Sequence, residues 1–155
     1  MSSSETKRQL FTIGHSNLEL ARFLSLLSRH GIEAIADVRS QPYSGRNPQF
    51  NRDSLERALA SHKVIYVFLG DQLGGRMNDF VPGNGAQRYR WMAQTEKFSS
   101  GLNRIRDGVR KYRLAMMCAE RDPLKCHRSI LICRHLRDDL YLVEDLRTVP
   151  VVAGR

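Results

Sequence analysis

Short apolar segments alternate with amphipathic segments along this chain, and the alternation predicts strands that are followed by helices. The β-branched and aromatic residues in the apolar segments favour buried strands. These predicted strands are Gln9–Gly14, Ile32–Ala36, Val64–Leu69, Leu114–Met117 and Leu140–Val143. Between them, apolar residues recur three or four positions apart, which is the spacing of one face of a helix. The predicted helices cover residues 20–27, 53–62, 89–112 and 126–137, and the third of these can break at Ser100-Gly101.

Strands that alternate with helices are joined by right-handed crossovers, which produce a parallel sheet that is covered on both faces. The chain is therefore predicted to be α/β: a single-domain, Rossmann-like three-layer sandwich with a mainly parallel sheet of about five strands. Residues 10–147 are expected to form this domain, with residues 1–9 as a disordered leader and residues 148–155 as a tail.

Polar segments follow four of the predicted strands. They are His15-Ser16-Asn17, Asp37-Val38-Arg39, residues 70–76 and Cys118-Ala119-Glu120. Ligands of parallel α/β sheets bind outside the carboxyl ends of the strands. The four segments are therefore expected to meet at one edge of the sheet and to form one polar site.

Composition narrows the class of protein. The chain has 155 residues, of which 41% are apolar, and it contains no run of about 18 apolar residues that could span a membrane. Residues 1–9 are polar and lack the apolar centre of a signal peptide. Three cysteines without dense spacing are typical of reduced thiols. We therefore expect a cytoplasmic protein with no membrane partner.

The chain is strongly basic, with a formal net charge of +9. Such a balance favours anionic partners, such as nucleic acid, nucleotides or other phosphates. Between Arg88 and Arg113, eight basic residues are opposed only by Glu96 and Asp107. The basic side chains of this predicted helix either form a solvated surface or bind nucleic acid, in which case the protein would be a non-catalytic nucleic-acid-binding module.

The segment from Cys118 to Arg128 brings two thiols, carboxylates, an imidazole and a guanidinium to one turn between a strand and a helix. Packing does not require this mixture, so we predict that the turn is functional. With Asp122 as the N-cap and Pro123 at the first helical position, Cys126 would lie in the first helical turn. A thiol in that position is close to the positive end of the helix dipole, which favours the thiolate.

Rhodaneses and cysteine phosphatases use a related layout, in which loop amides and an arginine hold an oxyanion. Arg128 is too far along the chain from Cys118 for that spacing, and Glu120 and Asp122 would repel a phosphate. A thiol-dependent transferase or phosphatase-like enzyme that uses Cys126 or Cys118 is therefore an alternative, beside a buried structural role for the thiols.

The other polar residues favour a site for a phosphate-bearing ligand. Asp37 or Glu120 would act as base, and His15 and His127 as proton carriers or hydrogen-bond donors. The residues expected to bind the ligand are Gly14, Ser16, Arg39, Gly74, Gly75, Arg76, Cys118 and Arg128. Alternatively, the arginines Arg39 and Arg128 form structural ion pairs with neighbouring carboxylates.

No cofactor motif stands out. Dinucleotide and P-loop motifs are not present in the sequence, and neither CxxC nor HxxxH spacing supports a metal site.

These segments together resemble the family catalogued as domain of unknown function 488. The matching residues are Thr12-Ile13-Gly14-His15-Ser16, Asp37-Val38-Arg39 with Pro42 and Ser44, Leu73-Gly74-Gly75, Cys118-Ala119-Glu120 and Cys126-His127-Arg128. The resemblance runs from about Phe11 to Leu136. It implies a compact α/β domain, usually a stand-alone prokaryotic protein, and it implies no particular activity. The last strand departs from the pattern, since Asp138-Asp139 and Glu144-Asp145 stand where a glycine turn and a histidine are expected.

The sequence therefore predicts a hydrolase or transferase that binds a phosphate-bearing ligand, a nucleotide or nucleic acid, at the carboxyl edge of the sheet. Two alternatives stay open. One is a thiol-dependent enzyme that uses Cys126 or Cys118, and the other is a nucleic-acid-binding module without catalytic activity.

Overall fold

The structure is a computed structural model that describes residues 8–73, 90–122, 126–138 and 141–148. Its strands are β1 (Arg8–Gly14), β2 (Ala34–Asp37), β3 (Ile65–Phe68), β4 (Leu114–Cys118) and β5 (Tyr141–Asp145). Its helices are α1 (Leu20–Arg29), α2 (Arg52–Ser61), α3 (Gly70–Leu73), α4 (Glu96–Lys111) and α5 (His127–Asp138), with a 3-10 turn at Pro48–Phe50. Each predicted strand is present, with ends that shift by one or two residues.

The five strands form one parallel sheet in the order β3-β2-β4-β1-β5, which confirms the predicted Rossmann-like α/β fold. After β1 the chain passes through α1 to β2 on one side of β4, and after β4 it passes through α5 to β5 on the other side of β1. The connections therefore diverge between the neighbouring strands β1 and β4. In open α/β sheets, this switch point is where a ligand crevice forms.

Successive side chains of each strand point to opposite faces of the sheet, and two hydrophobic clusters result. On one face, Leu114 and Met116 of β4 pack with residues of α4 and α5 such as Phe98 and Ile132. We call this the α4/α5 face. On the other face, Met117 and neighbouring residues pack with α1 and α2, and we call this the α1/α2 face. Cys118 belongs to the α4/α5 face.

The predicted break of the long helix at Ser100-Gly101 is wrong, because α4 runs through both residues. Gly101 is buried, and a methyl group on it would lie 2.7 Å from Cγ of Leu73. The glycine therefore serves the close packing of α3 on α4 rather than a break. The helix begins at Glu96, after Thr95, whose side chain accepts a hydrogen bond from the backbone N–H of Phe98.

The structure describes the two ends of the chain only in part. β1 begins at Arg8, inside the segment predicted as a leader, and residues 1–7 and 149–155 lie outside the described residues. Among the helices in the described part of the chain, none combines the length and the apolar character that a membrane crossing requires.

Candidate functional site

The backbones of β1 and β4 stay hydrogen-bonded beyond the ends of the strands, at the carboxyl edge of the sheet. The N–H of His15 donates to the carbonyl of Cys118 over 2.9 Å, and the N–H of Ser16 donates to the carbonyl of Ala119 over 3.0 Å. A methyl group on Gly14 would lie 1.5 Å from the carbonyl oxygen of Glu120. Gly14 is therefore needed for the close approach of the loop after β4, whatever its part in ligand binding.

The end of β2 is held in a similar way. A methyl group on Gly70, the first residue of α3, would lie 1.8 Å from the carbonyl oxygen of Arg39. The carboxyl ends of β1, β2 and β4 thus lie side by side, with the ends of β2 and β3 joined through Gly70.

Asp37 forms the centre of a buried polar network on the α1/α2 face. Its side chain is fully buried, and Arg39 pairs with it through Nε at 2.9 Å from Oδ1 and through Nη2 at 2.8 Å from Oδ2. The backbone N–H of Arg39 also donates to Oδ1, and the hydroxyl of Tyr66 donates to Oδ2 over 2.5 Å. The carboxylate therefore accepts four hydrogen bonds, and the Asp37–Arg39 pair is the ion pair that the sequence left as an alternative.

His15 extends this network to the β1 loop. Nη1 of Arg39 lies 3.2 Å from Nε2 of His15, and Nδ1 of His15 lies 2.8 Å from the carbonyl oxygen of Ser16. A guanidinium only donates and a carbonyl only accepts, so the proton of the imidazole is on Nδ1 and the ring is neutral. Burial lowers the pKa of His15 to about 4, against the bond to Ser16, and Arg39 lowers it further. The ring stacks on Phe50 with 4.4 Å between the centroids.

The network is therefore closed to solvent and internally paired. His15, Asp37 and Arg39 are each 3% exposed or less. Burial and the neighbouring carboxylate of Asp37 raise the pKa of Tyr66, so that its hydroxyl keeps its proton as the donor. Proton transfer to a ligand would require this arrangement to open first.

The α4/α5 face of the same edge carries a pair of thiols. Cys118 is 1% exposed and Cys126 is 7% exposed, and neither forms a disulfide. The Cys118 side chain is hydrogen-bonded to the side chains of Cys126 and Ser129, and it lies 3.7 Å from the carbonyl oxygen of Glu120. The hydrogen bond to Cys126 raises the pKa of the Cys118 thiol most, and burial raises it further.

The predicted capping of the last helix is wrong. The helix α5 begins at His127, so Asp122 is too far from it to be the N-cap, and Pro123 lies outside the described residues. The carbonyl of Cys126 accepts from the N–H of Ile130 over 2.9 Å, which makes Cys126 itself the residue that precedes the first helical turn. The thiol still lies at the amino end of the helix, as predicted.

A carboxylate that sequence reasoning did not select also lies at this edge. Asp145 ends β5, two residues after Val143, which packs on the α4/α5 face. One oxygen of Asp145, Oδ1, is buried and has no hydrogen-bond partner within the described part of the chain. Burial raises the pKa of Asp145 and nearby Asp122 raises it further, although the N–H of Arg147 donates to it. The other segments were selected by the rule that ligands bind outside the carboxyl ends of the strands. This strand-end rule applies equally to β5.

The remaining predicted site residues divide into two groups. Glu120 is exposed, and Ser16 is half-buried with a left-handed φ of 47°. Outside the described residues lie Gly74, Gly75, Arg76 and the side chains of His127 and Arg128, so their predicted roles stay predictions. Across residues 8–73, 90–122, 126–138 and 141–148, no group of three or more His, Cys, Asp or Glu could hold a metal ion.

The basic helix has the amphipathic form that the sequence predicts. Leu102 and Ile105 of α4 are buried, whereas Lys97, Arg104 and Arg110 are exposed. Arg110 pairs with Asp107 over 2.9 Å on the surface. Binding of nucleic acid to this face stays a prediction.

Comparison with known proteins gives one finding. The model of the family described as "Domain of unknown function DUF488" matches residues 19–134, which is most of the chain. No curated protein and no solved structure matches the chain.

Proposed function

We propose that this chain, which belongs to the family described as Domain of unknown function DUF488, is a thiol-dependent transferase in which Cys126 is the nucleophile. The observation that carries the proposal is the hydrogen bond between the side chains of Cys118 and Cys126 at the amino end of α5. The sequence offered this function as an alternative to acid–base chemistry, and the geometry of the two faces favours it.

The position of Cys126 suits a nucleophile. It directly precedes a helix of twelve residues, so the residue lies at the end of the helix where the first-turn amides and the positive end of the helix dipole are found. Both stabilise a thiolate relative to a thiol. Cys126 is also more accessible than Cys118, with 7% of its surface exposed against 1%.

Cys118 and Ser129 support this role of Cys126. The pKa of Cys118 is raised, so Cys118 keeps its proton and can donate it toward the sulfur of Cys126. Ser129 is 2% exposed and forms a hydrogen bond with Cys118, which fixes the sulfur of Cys118 in place. In this proposal Cys126 is therefore the thiol that reacts with the substrate.

The buried network of the α1/α2 face acts as a support. Asp37 and His15 have their polar atoms engaged with Arg39, Tyr66 and Ser16. Because His15 and Ser16 also pair with the backbone of Cys118 and Ala119, the network holds the loop after β4 in place. Its role in this proposal is to position the thiol pair.

The reaction has two steps. The Cys126 thiolate attacks the electrophilic centre of the substrate, so that a bond from sulfur to the transferred group forms and the bond to the leaving group breaks. The leaving group departs with its electron pair and takes a proton from solvent. An acceptor such as water then attacks the transferred group, so that its bond to the acceptor forms and its bond to sulfur breaks. The acceptor releases its proton to solvent, and the thiolate is restored.

Two model substrates test this proposal. We expect the wild-type protein and Cys133→Ser to release 4-nitrophenol from 4-nitrophenyl acetate or 4-nitrophenyl phosphate, with a covalent adduct on Cys126 seen by peptide mass spectrometry. Cys133 is the matched control because it is a buried thiol inside α5, the helix that Cys126 directly precedes. Cys126→Ser should lower the rate on the order of 100-fold or more. An undiminished rate in Cys126→Ser would overturn the proposal.

A phosphate-bearing ligand bound without thiol chemistry is the second candidate, as the sequence predicted. The exposed side chain of Arg121 in the loop after β4 and the net charge of +9 favour it. A thermal-shift screen with nucleotides and oligonucleotides tests it, because a ligand at 100 times its Kd adds about 2.7 kcal/mol to the free energy of unfolding. Stabilisation that persists in Cys126→Ser would support this candidate, and no shift with any of these ligands would exclude it.

A further inference from the structure

We infer that Cys118 and Cys126 form a dithiol pair that reacts with small disulfides, with Cys126 as the attacking thiol and Cys118 as the resolving thiol. The inference rests on the proposed nucleophilic role of Cys126. It goes further because it names a substrate class, the disulfide, and gives Cys118 a covalent role of its own.

The two sulfurs meet although they belong to different elements. Cys118 is the last residue of β4, and Cys126 directly precedes α5. Both side chains belong to the same hydrophobic cluster on the α4/α5 face, and they are hydrogen-bonded to each other. Two cysteines can be joined only where their backbones already bring the side chains together. The hydrogen bond shows that the side chains of Cys118 and Cys126 are close to each other.

The two thiols are also unequal in a way that gives the reaction a direction. Cys126 lies at a helix amino end and is 7% exposed, whereas Cys118 is 1% exposed and keeps its proton. A disulfide reagent therefore reaches Cys126 first. Cys118 can react only with a sulfur that is already attached to Cys126, which is what a resolving thiol does.

The third cysteine is an internal control. Cys133 is 6% exposed, so its burial is close to that of Cys126, and it lies in the helix that Cys126 directly precedes. It lies inside α5 rather than at its amino end, and burial raises the pKa of its thiol to about 11. Burial alone therefore does not predict a difference in reactivity between Cys126 and Cys133. Their positions do, because one lies at the amino end of α5 and the other lies inside it.

The exchange balances as follows. The Cys126 thiolate attacks one sulfur of the small disulfide, so that a mixed disulfide forms and the first small thiolate leaves. Cys118 then gives its proton to a released thiolate or to water and attacks the sulfur of Cys126, which expels the second small thiolate. The protein dithiol is oxidised by two electrons, and the small disulfide is reduced to two thiols.

The test uses the full chain, fully reduced, with glutathione disulfide under anaerobic conditions. After an acid quench, N-ethylmaleimide labels the remaining thiols, and mass spectrometry maps them. We expect the wild-type protein to lose two hydrogen atoms, to hold a Cys118–Cys126 disulfide and to label only at Cys133. Cys133→Ser should form the same disulfide. Cys118→Ala should stop at the mixed disulfide between glutathione and Cys126.

Two outcomes would overturn the inference. One is a stable mixed disulfide on Cys126 in the wild-type protein, and the other is a disulfide that includes Cys133. Iodoacetamide labelling of the same samples separates the two proposals. Selective alkylation of Cys126 without an internal disulfide would remove the pair and keep the nucleophile, whereas no preference for Cys126 would remove both.

Discussion

The two faces of the sheet meet the same edge with different chemistry. On the α1/α2 face, Asp37, Arg39 and His15 are buried and bonded to one another. On the α4/α5 face, the side chain of Cys118 is hydrogen-bonded to that of Cys126, and the helix α5 begins directly after Cys126. Residue types that are typical of catalysis occur on both faces. The groups of the α1/α2 face are engaged with one another and hold the edge in place, whereas the thiol pair is the part of the edge to which we assign reactivity.

The largest expected effect is a loss of stability when the buried network of Asp37, Arg39 and His15 is broken. Asp37→Ala leaves the Arg39 guanidinium buried without its carboxylate, and we expect a loss of about 3 to 5 kcal/mol in the free energy of unfolding. Urea unfolding followed by circular dichroism measures it. Tyr66→Phe removes only one of the four hydrogen bonds to Asp37 and should cost about 1 kcal/mol. A stable but inactive Asp37→Ala protein would contradict the comparison and make Asp37 a catalytic base.

The next effect is a pH dependence from His15. Its pKa is about 4 in the folded protein against an ordinary value of 6.5, so between these values the unfolded chain binds a proton that the folded one does not. This contribution to stability is complete above pH 6.5 and falls by about 3 kcal/mol as the pH drops to 4.

A comparison of the wild-type protein with His15→Gln isolates the contribution of His15 to the pH dependence of stability. The raised pKa of Asp145 acts in the opposite direction, but it is common to both proteins. We expect the unfolding free energy of His15→Gln to decline less between pH 6.5 and 4 than that of the wild type. Parallel curves would show that His15 is not held neutral by the network.

A third prediction concerns the connection between the two faces. Gly14→Ala places a methyl group against the carbonyl of Glu120, so the loop after β4 must move, and overpacking of this kind costs about 1 to 3 kcal/mol. Thermal unfolding should show the loss, and alkylation of Cys126 should slow. Gly45→Ala is the control, since a methyl group there has no atom within 4 Å. Equal effects of the two changes would contradict the close approach.

Much of the fold could be predicted from the sequence, because strand and helix periods follow from which residues are apolar. The break at Gly101 was wrong because helix propensity carries no information about Leu73, which packs on that glycine. The strand order with β4 between β2 and β1 comes from packing of all the crossovers.

The site was only partly predictable. The strand-end rule located His15, Asp37 and Cys118 at one edge, where the structure has them. It did not reveal that Asp37 and Cys118 lie on opposite faces of the sheet. The face depends on the exact register of the alternating side chains at each strand end and on which helices pack against that face. It also did not reveal that Arg39 is committed to Asp37, which turns a candidate anion holder into a structural partner.

The most direct test of the account is the rate at which iodoacetamide alkylates each cysteine of the folded protein at neutral pH, resolved by peptide mass spectrometry. The same measurement in urea gives the rates without the fold. Raised pKa values keep Cys118 and Cys133 protonated, so we expect Cys126 to react on the order of 100-fold faster than either in the folded protein and at a similar rate in urea. Alkylation of Cys118 or Cys133 as fast as that of Cys126 in the folded protein would contradict it.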